Sequence, residues 1–436
     1  MLDPERKKQL ILILCFVAIV SVVPVTQVAI ELYRGERVQF TDVFRYKPAA
    51  KNLRQFERNL EDKSWFQQTL RPKMQQLLFQ TLSDPGTKAL LGRNGWLFYR
   101  PDVRYLVEPN RREVDRSESR WVQPPDGSTY RDNVIRAIVR FRDQLKERGI
   151  ELLVLPAPGK PSVYPDRVTR RAVGKEQEFR SPTEEMLEVL RKHGVETVNL
   201  FARFREYRKS APAQDLFLVR DTHWTPTGTK VAADAVALRL RELGWAPQEA
   251  RQYQTKSIAV KRFGDVLEMM QLPGIQSEFE PEAVECEQIS DPALGLMVPS
   301  KSDRPGTYRC AAPKSSVLLL GDSYCRIYQM PEPQSLGEVG GGRLEVGNGK
   351  DKSDKSTRQL LPGSAGFPSH LALTLKAPVD YIVSDGGAST DVRRRLSTDA
   401  EILEDKKVVI WEFAEREIGL GREGWKEVPL PPKLGP

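Results

Sequence analysis

A short apolar run that ends on Gly321-Asp322-Ser323 constrains the fold of this chain most strongly. Val317 to Leu320 has the length and the aliphatic content of a strand buried on both faces. Such strands belong to α/β sheets, in which ligands bind beyond the carboxyl ends of the strands. The pattern places Ser323 at a sheet edge, either as a nucleophile or as part of a capping turn in which Asp322 or Ser323 is the N-cap.

A serine nucleophile needs a base, and the chain has three histidines. His193 lies at a predicted helix end, where a cation is favoured for structural reasons. His370 falls in the first turn of another predicted helix and has no carboxylate nearby in sequence. His223 follows Asp221 by two residues, so both side chains point to the same side of an extended segment. We predict that Asp221 orients His223 as the base for Ser323; the alternative is a helix-entry loop with an incidental histidine.

Length and composition limit the class of protein. The 436 residues, 39% of them hydrophobic, are enough for one large or two ordinary domains. The formal net charge is +8, but basic and acidic residues alternate along most of the chain, which is typical of a solvated surface. No nucleic-acid-binding motif accompanies the charge, so we expect no nucleic-acid partner. Without a Cys/His cluster, we expect no metal site and no cofactor.

The N-terminus carries a candidate membrane anchor. Leu10 to Ile30 is nearly free of charge and follows Arg6-Lys7-Lys8. The run is as long as a bilayer-spanning helix and no clear cleavage site follows it, which favours an uncleaved signal anchor over a signal peptide. The basic cluster predicts that residues 1–8 are cytoplasmic, that 9–30 span the membrane, and that the rest lies outside.

The next segment, residues 31–90, is predicted to be a helical connector. Apolar residues recur at three- and four-residue spacing between Ala49 and Leu82, which indicates one or two amphipathic helices with a break at 62–64. Asn94-Gly95, followed by an aromatic strand, indicates a hairpin that opens the catalytic domain.

Strands and helices alternate through the remaining chain. We predict strands at 151–155, 195–200, 215–219, 317–320, 379–383 and 406–413, and helices at 129–148, 182–192, 230–243, 366–376 and 391–396. This order predicts an α/β fold, a three-layer sandwich with a mainly parallel sheet, over residues 91–416, followed by a C-terminal tail at 417–436.

Two regions interrupt this order. Residues 245–313 are rich in proline and acids and are interpreted as an irregular insertion; Cys286 and Cys310 lie inside it, and whether they pair stays open. Cys325 is interpreted as a buried thiol. Residues 337–357 are glycine-rich and charged, but their spacing fails the P-loop pattern, so we expect a mobile surface loop.

The chain resembles the alginate O-acetyltransferase family of SGNH-hydrolase-like proteins. The resemblance rests on Asp221-x-His223-Trp224, on Gly321-Asp322-Ser323 about a hundred residues later, on Gly95 to Tyr99, and on Glu415-Arg416. In ordinary SGNH esterases the Asp/His pair follows the serine. Here the pair precedes it, as in the acetyltransferase branch.

This resemblance implies roles for single residues. Ser323 would carry the acetyl group, His223 would be the general base and Asp221 its orienting carboxylate. The N–H of Tyr324, where the family often has phenylalanine, would serve the oxyanion, helped by Gly387. Arg394, like Arg416, is either a substrate or a structural arginine, and the structural role is favoured.

The implied function is O-acetylation of a secreted polysaccharide through an acetyl-serine intermediate. The polysaccharide would be the acceptor, and a membrane-bound O-acyltransferase would supply acetyl at the inner membrane, with the catalytic domain in the periplasm. Two alternatives remain open: a membrane-tethered carbohydrate acetylesterase, and a catalytically silent scaffold subunit of a polysaccharide-export complex.

Overall fold

The computed structural model describes residues 4–45, 49–108, 114–115, 120–121, 130–273, 279–298, 300–301, 307–312, 315–331, 361–420 and 424–431. The predicted loop at 337–357 lies outside these residues. The chain divides into two compact units. The first consists mainly of the residues up to Gly86, and the second contains the main sheet.

The first unit is helical. It contains α1 (Pro4–Tyr33), a 3₁₀ turn (Gln39–Phe44), α2 (Ala50–Lys63), a π-helical turn (Phe66–Leu70) and α3 (Arg71–Leu82). Within α1, an 18-residue stretch of Lys8–Tyr33 has a mean hydropathy of 2.6, so this helix is long and apolar enough to cross a membrane, as a signal sequence also is. The predicted helices with a break at 62–64 are confirmed.

The second unit opens with the predicted hairpin. Strands β1 (Ala89–Leu91) and β2 (Leu97–Tyr99) pair antiparallel. Asn94 and Gly95 have φ of 56° and 78°, a left-handed conformation that asparagine and glycine adopt most readily. The Asn-Gly signal therefore predicted this element correctly.

The described residues of the second unit form a seven-stranded mixed sheet. The strands are β5 (Glu151–Ala157), β6 (Glu196–Thr197), β10 (Ser300–Lys301), β11 (Thr307–Cys310), β12 (Val317–Gly321), β13 (Val379–Ser384) and β14 (Val408–Ala414). Their order in the sheet is β10-β11-β13-β12-β14-β5-β6. From β13 to β6 all neighbours are parallel, whereas β11 and β10 extend the sheet antiparallel.

Helices cover both faces of this sheet. Val317 and Leu319 of β12 pack on one face and Leu318 and Leu320 on the other, so the strand is buried on both sides. The helices of the second unit are α4 (Arg100–Val107), α5 (Tyr130–Lys146), α6 (Lys160–Val163), α7 (Pro165–Val168), α8 (Pro182–Lys192), α9 (Leu200–Ser210), α10 (Pro226–Glu242), α11 (Asp265–Met269), α12 (Ser323–Arg326), α13 (Phe367–Leu375), α14 (Asp391–Thr398) and α15 (Glu417–Leu420).

Two predicted strands are corrected. The strand at 195–200 shrinks to β6, because Asn199 accepts a hydrogen bond from the Ala202 N–H and caps α9. The predicted strand at 215–219 does not join the sheet; it forms one bridge, Phe217 to Trp224. Its backbone donors go elsewhere, since the Leu216 N–H donates to the Tyr164 hydroxyl at 2.8 Å.

The region at 245–313 is also corrected, because much of it is regular. Strands β7 (Gln254–Arg262) and β8 (Glu282–Asp291) pair antiparallel along their length, and β9 (Gly295–Leu296) joins the end of β8. A further short pair is β3 (Val114–Asp115) with β4 (Arg120–Trp121). Cys286 and Cys310 are both free thiols in the structure.

Candidate active site

The serine lies where the central strand gives way to a helix. β12 is flanked by β13 and β14 and ends at Gly321. Asp322 is the N-cap of α12 and accepts from the Tyr324 N–H at 2.8 Å. Its second oxygen accepts from the Ala414 N–H of β14, also at 2.8 Å. Asp322, and not Ser323, is thus the capping residue, and it fixes the turn that presents Ser323.

The histidine lies in a loop between α9 and α10, residues 216–224, which we name the base loop. The Leu218 N–H donates to the His223 carbonyl at 3.2 Å, and Thr225 caps α10 by accepting from the Gly228 N–H at 3.1 Å. A side chain at Gly228 would overlap the Leu216 carbonyl. The base loop is therefore tightly folded although it lies outside the sheet.

Ser323, His223 and Asp221 form a continuous hydrogen-bonded chain. His223 Nε2 lies 2.9 Å from Ser323 Oγ, and Nδ1 lies 2.6 Å from Asp221 Oδ1. Asp221 Oδ1 also accepts from the His223 N–H at 3.0 Å. With the Nδ1 proton held by the carboxylate, Nε2 accepts from the serine hydroxyl, which is the arrangement that activates a serine nucleophile.

Burial and nearby charges set the ionisation of the carboxylates. Asp221 is fully buried, and burial alone would raise its pKa, but Arg262 and His223 hold that pKa well below its usual range. The Arg262 Nε donates to Asp221 Oδ2 at 2.7 Å. Asp265 is different, because burial, with the charge of Asp221, raises its pKa to about 6.

A buried lysine supports the base loop from another side. Lys160 of α6 is fully buried, and its Nζ donates to the carbonyls of Leu218, Val219 and Asp221 at 2.7 to 3.1 Å. Burial lowers the pKa of Lys160 to about 8, against the opposing effect of Asp221. Three acceptors satisfy all three ammonium donors, so this lysine fixes the backbone of the base loop.

Gly264, in the region at 245–313, lies very close to the backbone of the base loop. This glycine has a φ of 91°, and a Cβ there would overlap the backbone carbonyl of Arg220. We expect Gly264→Ala to lower the free energy of unfolding by about 3 kcal/mol, because steric overlap adds to backbone strain. Gly295 is the control, because it has a φ of 78° but a Cβ there would meet no atom within 4 Å. Gly295→Ala should cost about 1 kcal/mol in urea unfolding; equal losses would contradict the overlap.

Tyr324 connects the turn that presents Ser323 to the base loop. Its hydroxyl donates to the Thr222 carbonyl at 2.9 Å, and its ring meets the His223 ring edge-on, with centroids 5.1 Å apart. The Trp224 ring packs against it at 5.0 Å. This side chain therefore sets the distance between the two halves of the site.

Tyr324→Phe tests that connection, because it removes one hydroxyl and leaves the ring. We expect the free energy of unfolding to fall by about 1 kcal/mol and esterase turnover to fall by up to about tenfold. Tyr381→Phe is the matched control, since the Tyr381 hydroxyl donates to the Met297 carbonyl at 2.7 Å, outside the base loop. It should lose similar stability but keep its turnover. Equal turnover in both variants would argue against a positioning role for the Tyr324 hydroxyl.

The predicted oxyanion donors are engaged elsewhere. The Tyr324 N–H donates to Asp322, as described above, and the Gly387 N–H donates to the Ser384 carbonyl at 3.0 Å in the turn after β13. The bond to Asp322 is the capping bond that the sequence allowed for, whereas the bond to Ser384 depends on the turn after β13. Both assignments to the oxyanion are therefore at odds with this geometry.

The two arginines predicted to have either a substrate or a structural role, Arg394 and Arg416, have protein partners. Arg394 lies on α14 and pairs with Asp391 at 3.1 Å. Arg416 donates to Asp102 Oδ1 at 3.3 Å, and its guanidinium lies 5.7 Å from the centroid of the Tyr324 ring. Its neighbour Glu415 is buried and accepts hydrogen bonds from α6, α8 and the loop before them, through Gly159, Ser162, Ser181 and Thr183.

The other histidines and Cys325 have different surroundings. All three histidines lie in the described part of the chain, and His223 is the one whose ring reaches Ser323. His193 caps the end of α8 and is exposed. His370 is buried in α13, and burial lowers its pKa to about 4. Cys325 is a buried thiol, as interpreted, and donates to Glu412 at 3.1 Å.

Asp221, His223 and Asp265 are also close enough to hold a metal ion, with one ligand atom of each within 4.8 Å of the others. An ion there would compete with the Arg262 guanidinium for Asp221 and with Asp221 for His223 Nδ1. The donor set therefore fits a hydrogen-bonded acid–base group better than a metal centre.

Sequence reasoning missed Lys160, Arg262, Asp265 and Glu282, all of which contact the base loop. Arg262, Asp265 and Glu282 come from the region interpreted as irregular. Their distance in sequence from the loop leaves no local signal, so spacing alone does not identify them.

A family model described as the SGNH hydrolase-like domain of the acetyltransferase AlgX matches residues 89–339. The chain is 23% identical over 203 residues to the probable alginate O-acetylase AlgJ of Pseudomonas aeruginosa, a match that covers 46% of this chain and 45% of that protein. It is 22% identical over 346 residues to the probable alginate O-acetylase AlgJ of Pseudomonas syringae pv. tomato, covering 78% of this chain and 71% of that protein. The first match thus spans less than half of the relative's length.

Solved structures also resemble this chain. The O-acetyltransferase domain of Pseudomonas putida AlgJ aligns with a TM-score of 0.48 and 19% identity, covering 76% of this chain and 92% of that one. Pseudomonas aeruginosa AlgX aligns with a TM-score of 0.46 and 16% identity, covering 75% of this chain and 62% of that one.

Proposed function

This chain belongs to the SGNH hydrolase-like family of the acetyltransferase AlgX, and we propose that it transfers acetyl groups to hydroxyl groups of a secreted polysaccharide. The hydrogen-bonded chain from Ser323 through His223 to Asp221 carries this proposal. Its order and distances suit a serine that is acylated and then deacylated. The names of the curated relatives suggest alginate as the first acceptor to test.

In the first step, Ser323 Oγ bonds to the acetyl carbonyl carbon while its proton passes to His223 Nε2. The bond to the donor's leaving group then breaks, and the leaving group takes the proton from Nε2. Asp221 keeps the Nδ1 proton in place and stabilises the imidazolium that forms between the two transfers. The product is acetyl-Ser323.

In the second step, the acceptor hydroxyl gives its proton to His223 Nε2 and its oxygen bonds to the acetyl carbon. The bond between Ser323 Oγ and that carbon breaks, and Oγ regains the proton. Each tetrahedral intermediate carries an oxyanion. The Ser323 N–H is at the first position of α12 and has no acceptor within its own helix, so we assign one oxyanion contact to it.

We also propose the predicted setting of this reaction. Helix α1 would anchor the chain in the inner membrane, with the second unit on the periplasmic side. A membrane-bound O-acyltransferase would supply the acetyl group there. The apolar stretch Lys8–Tyr33 supports the anchor.

The test uses full-length protein in detergent with a chromogenic acetyl ester as donor. Mass spectrometry should find one acetyl group on Ser323, and added mannuronate oligosaccharides should speed chromophore release and become O-acetylated. Hydrolysis that oligosaccharides leave unchanged would indicate the acetylesterase instead. A folded protein that neither forms acetyl-Ser323 nor releases chromophore would favour the scaffold subunit and overturn the proposal.

A further inference from the structure

The region at 245–313 supplies three side chains that hold the base loop. Glu282 of β8 accepts from the N–H groups of Val219 and Arg220 at 2.8 and 2.9 Å. Asp265 of α11 accepts from the N–H and the hydroxyl of Thr222 at 2.7 and 2.6 Å. The donors of the base loop, which lies outside the main sheet, are thus hydrogen-bonded to carboxylates from the region at 245–313.

Arg262, at the end of β7, contacts the buried carboxylate itself. Its Nε lies 2.7 Å from Asp221 Oδ2, while Oδ1 of the same carboxylate holds His223. The Asp265 N–H donates to Oδ2 as well, at 3.1 Å. Because each carboxylate oxygen has its own hydrogen-bond partners, the orientation of the carboxylate is fixed, and with it the direction of the imidazole.

We propose that Arg262 is a positioning residue for acetyl transfer. It acts through Asp221 on the orientation of His223, and the β7–β8 hairpin is the element that delivers it. This inference rests on the proposed function, because it assumes that His223 exchanges protons with Ser323.

The charge of Arg262 keeps the Asp221 carboxylate ionised. A guanidinium stays protonated at any working pH and binds a carboxylate in a fixed geometry. Against the effect of burial, its positive charge helps to hold the pKa of Asp221 well below its usual range, so the carboxylate remains an acceptor for His223 Nδ1. The other charged or titratable groups around Asp221 and His223 are Asp102, Lys160, Asp265, Glu282 and Tyr328.

Lys160 does not duplicate Arg262. Its ammonium group donates to three backbone carbonyls, whereas Arg262 donates to the Asp221 carboxylate. In the described part of the chain, Arg262 is therefore the cation that is hydrogen-bonded directly to this carboxylate.

The experiment compares Arg262→Met and Arg262→Lys in the full-length protein, with the chromogenic acetyl ester as substrate. Arg262→Met should lower kcat by roughly 10- to 100-fold with KM nearly unchanged, because the base is misaligned while the ester site is intact. Arg262→Lys keeps the charge but not the planar guanidinium, so its kcat should lie between those of the wild type and Arg262→Met.

Arg251→Met is the matched control. Arg251 lies in the same region and pairs with Asp291 at 2.9 Å, so its loss removes an ion pair of similar type away from the base loop. It should keep the wild-type kcat and KM. Counting active sites by acetyl-Ser323 formation corrects every rate for unfolded protein.

Two results would overturn the inference: a wild-type kcat per active site in Arg262→Met, or a loss in Arg262→Met that appears in KM and not in kcat. If Arg262→Met does not fold, Arg262→Lys decides. A wild-type kcat in that variant would show that the planar guanidinium is not needed to position Asp221 and His223. Failure of the proposed function looks different, because the wild-type protein would then form no acetyl-Ser323.

Discussion

Ser323→Ala is expected to lower acetyl-ester turnover by at least about a thousandfold while leaving the fold intact. The substitution removes the Oγ that lies 2.9 Å from His223 Nε2, so no acetyl-enzyme forms. The residual rate would come from binding and from water activated by His223. Turnover of the chromogenic ester and the mass of the isolated protein measure the two effects.

Ser210→Ala is the control for this prediction. Ser210 is exposed at the end of α9 and donates to the Tyr207 carbonyl at 3.0 Å. Its removal should leave turnover unchanged. If Ser323→Ala protein still acquired an acetyl group, another nucleophile would carry the reaction and the assignment of Ser323 would fail.

Asp221→Asn is expected to lower kcat by about a thousandfold or more. An asparagine has the shape of the aspartate, but it cannot stabilise an imidazolium, and its amide favours the tautomer with the proton on Nε2. Arg262 also loses its counter-ion, so the free energy of unfolding should fall by about 3 kcal/mol. Steady-state kinetics and urea unfolding separate the two losses.

Asp405→Asn provides the comparison. Asp405 is exposed with a φ of 62°, a conformation that asparagine tolerates, so neither kcat nor stability should change. A kcat for Asp221→Asn within about tenfold of the wild type would mean that Asp221 does not set the tautomer of His223.

The sequence predicted the parts of this fold whose signals are local. The run Val317–Leu320 is the central strand, and the helices predicted at 182–192 and 230–243 form α8 and α10. The pair Asp221 and His223 was identified for the same reason, because two residues of spacing are enough to bring a carboxylate to an imidazole. Each of these features depends on residues within one or two turns of each other.

The parts that sequence reasoning missed depend on long-range contacts. The segment at 215–219 has the composition of a strand, but side chains such as Tyr164 and Glu282 take its backbone donors. Strand β7 is mostly exposed and lacks an apolar run, so its pairing with β8 leaves little hydrophobic pattern. The contacts of Arg262 and Asp265 then follow from that pairing and are not visible from spacing.

The position of the base loop has a consequence for the newly made chain. Ser323 and His223 are 100 residues apart, and Val219 is 63 residues from the glutamate that holds its N–H. The serine therefore gains its base only after distant segments have come together. In the unfolded chain Ser323 carries an ordinary hydroxyl, so the nucleophile becomes reactive only once the chain has folded.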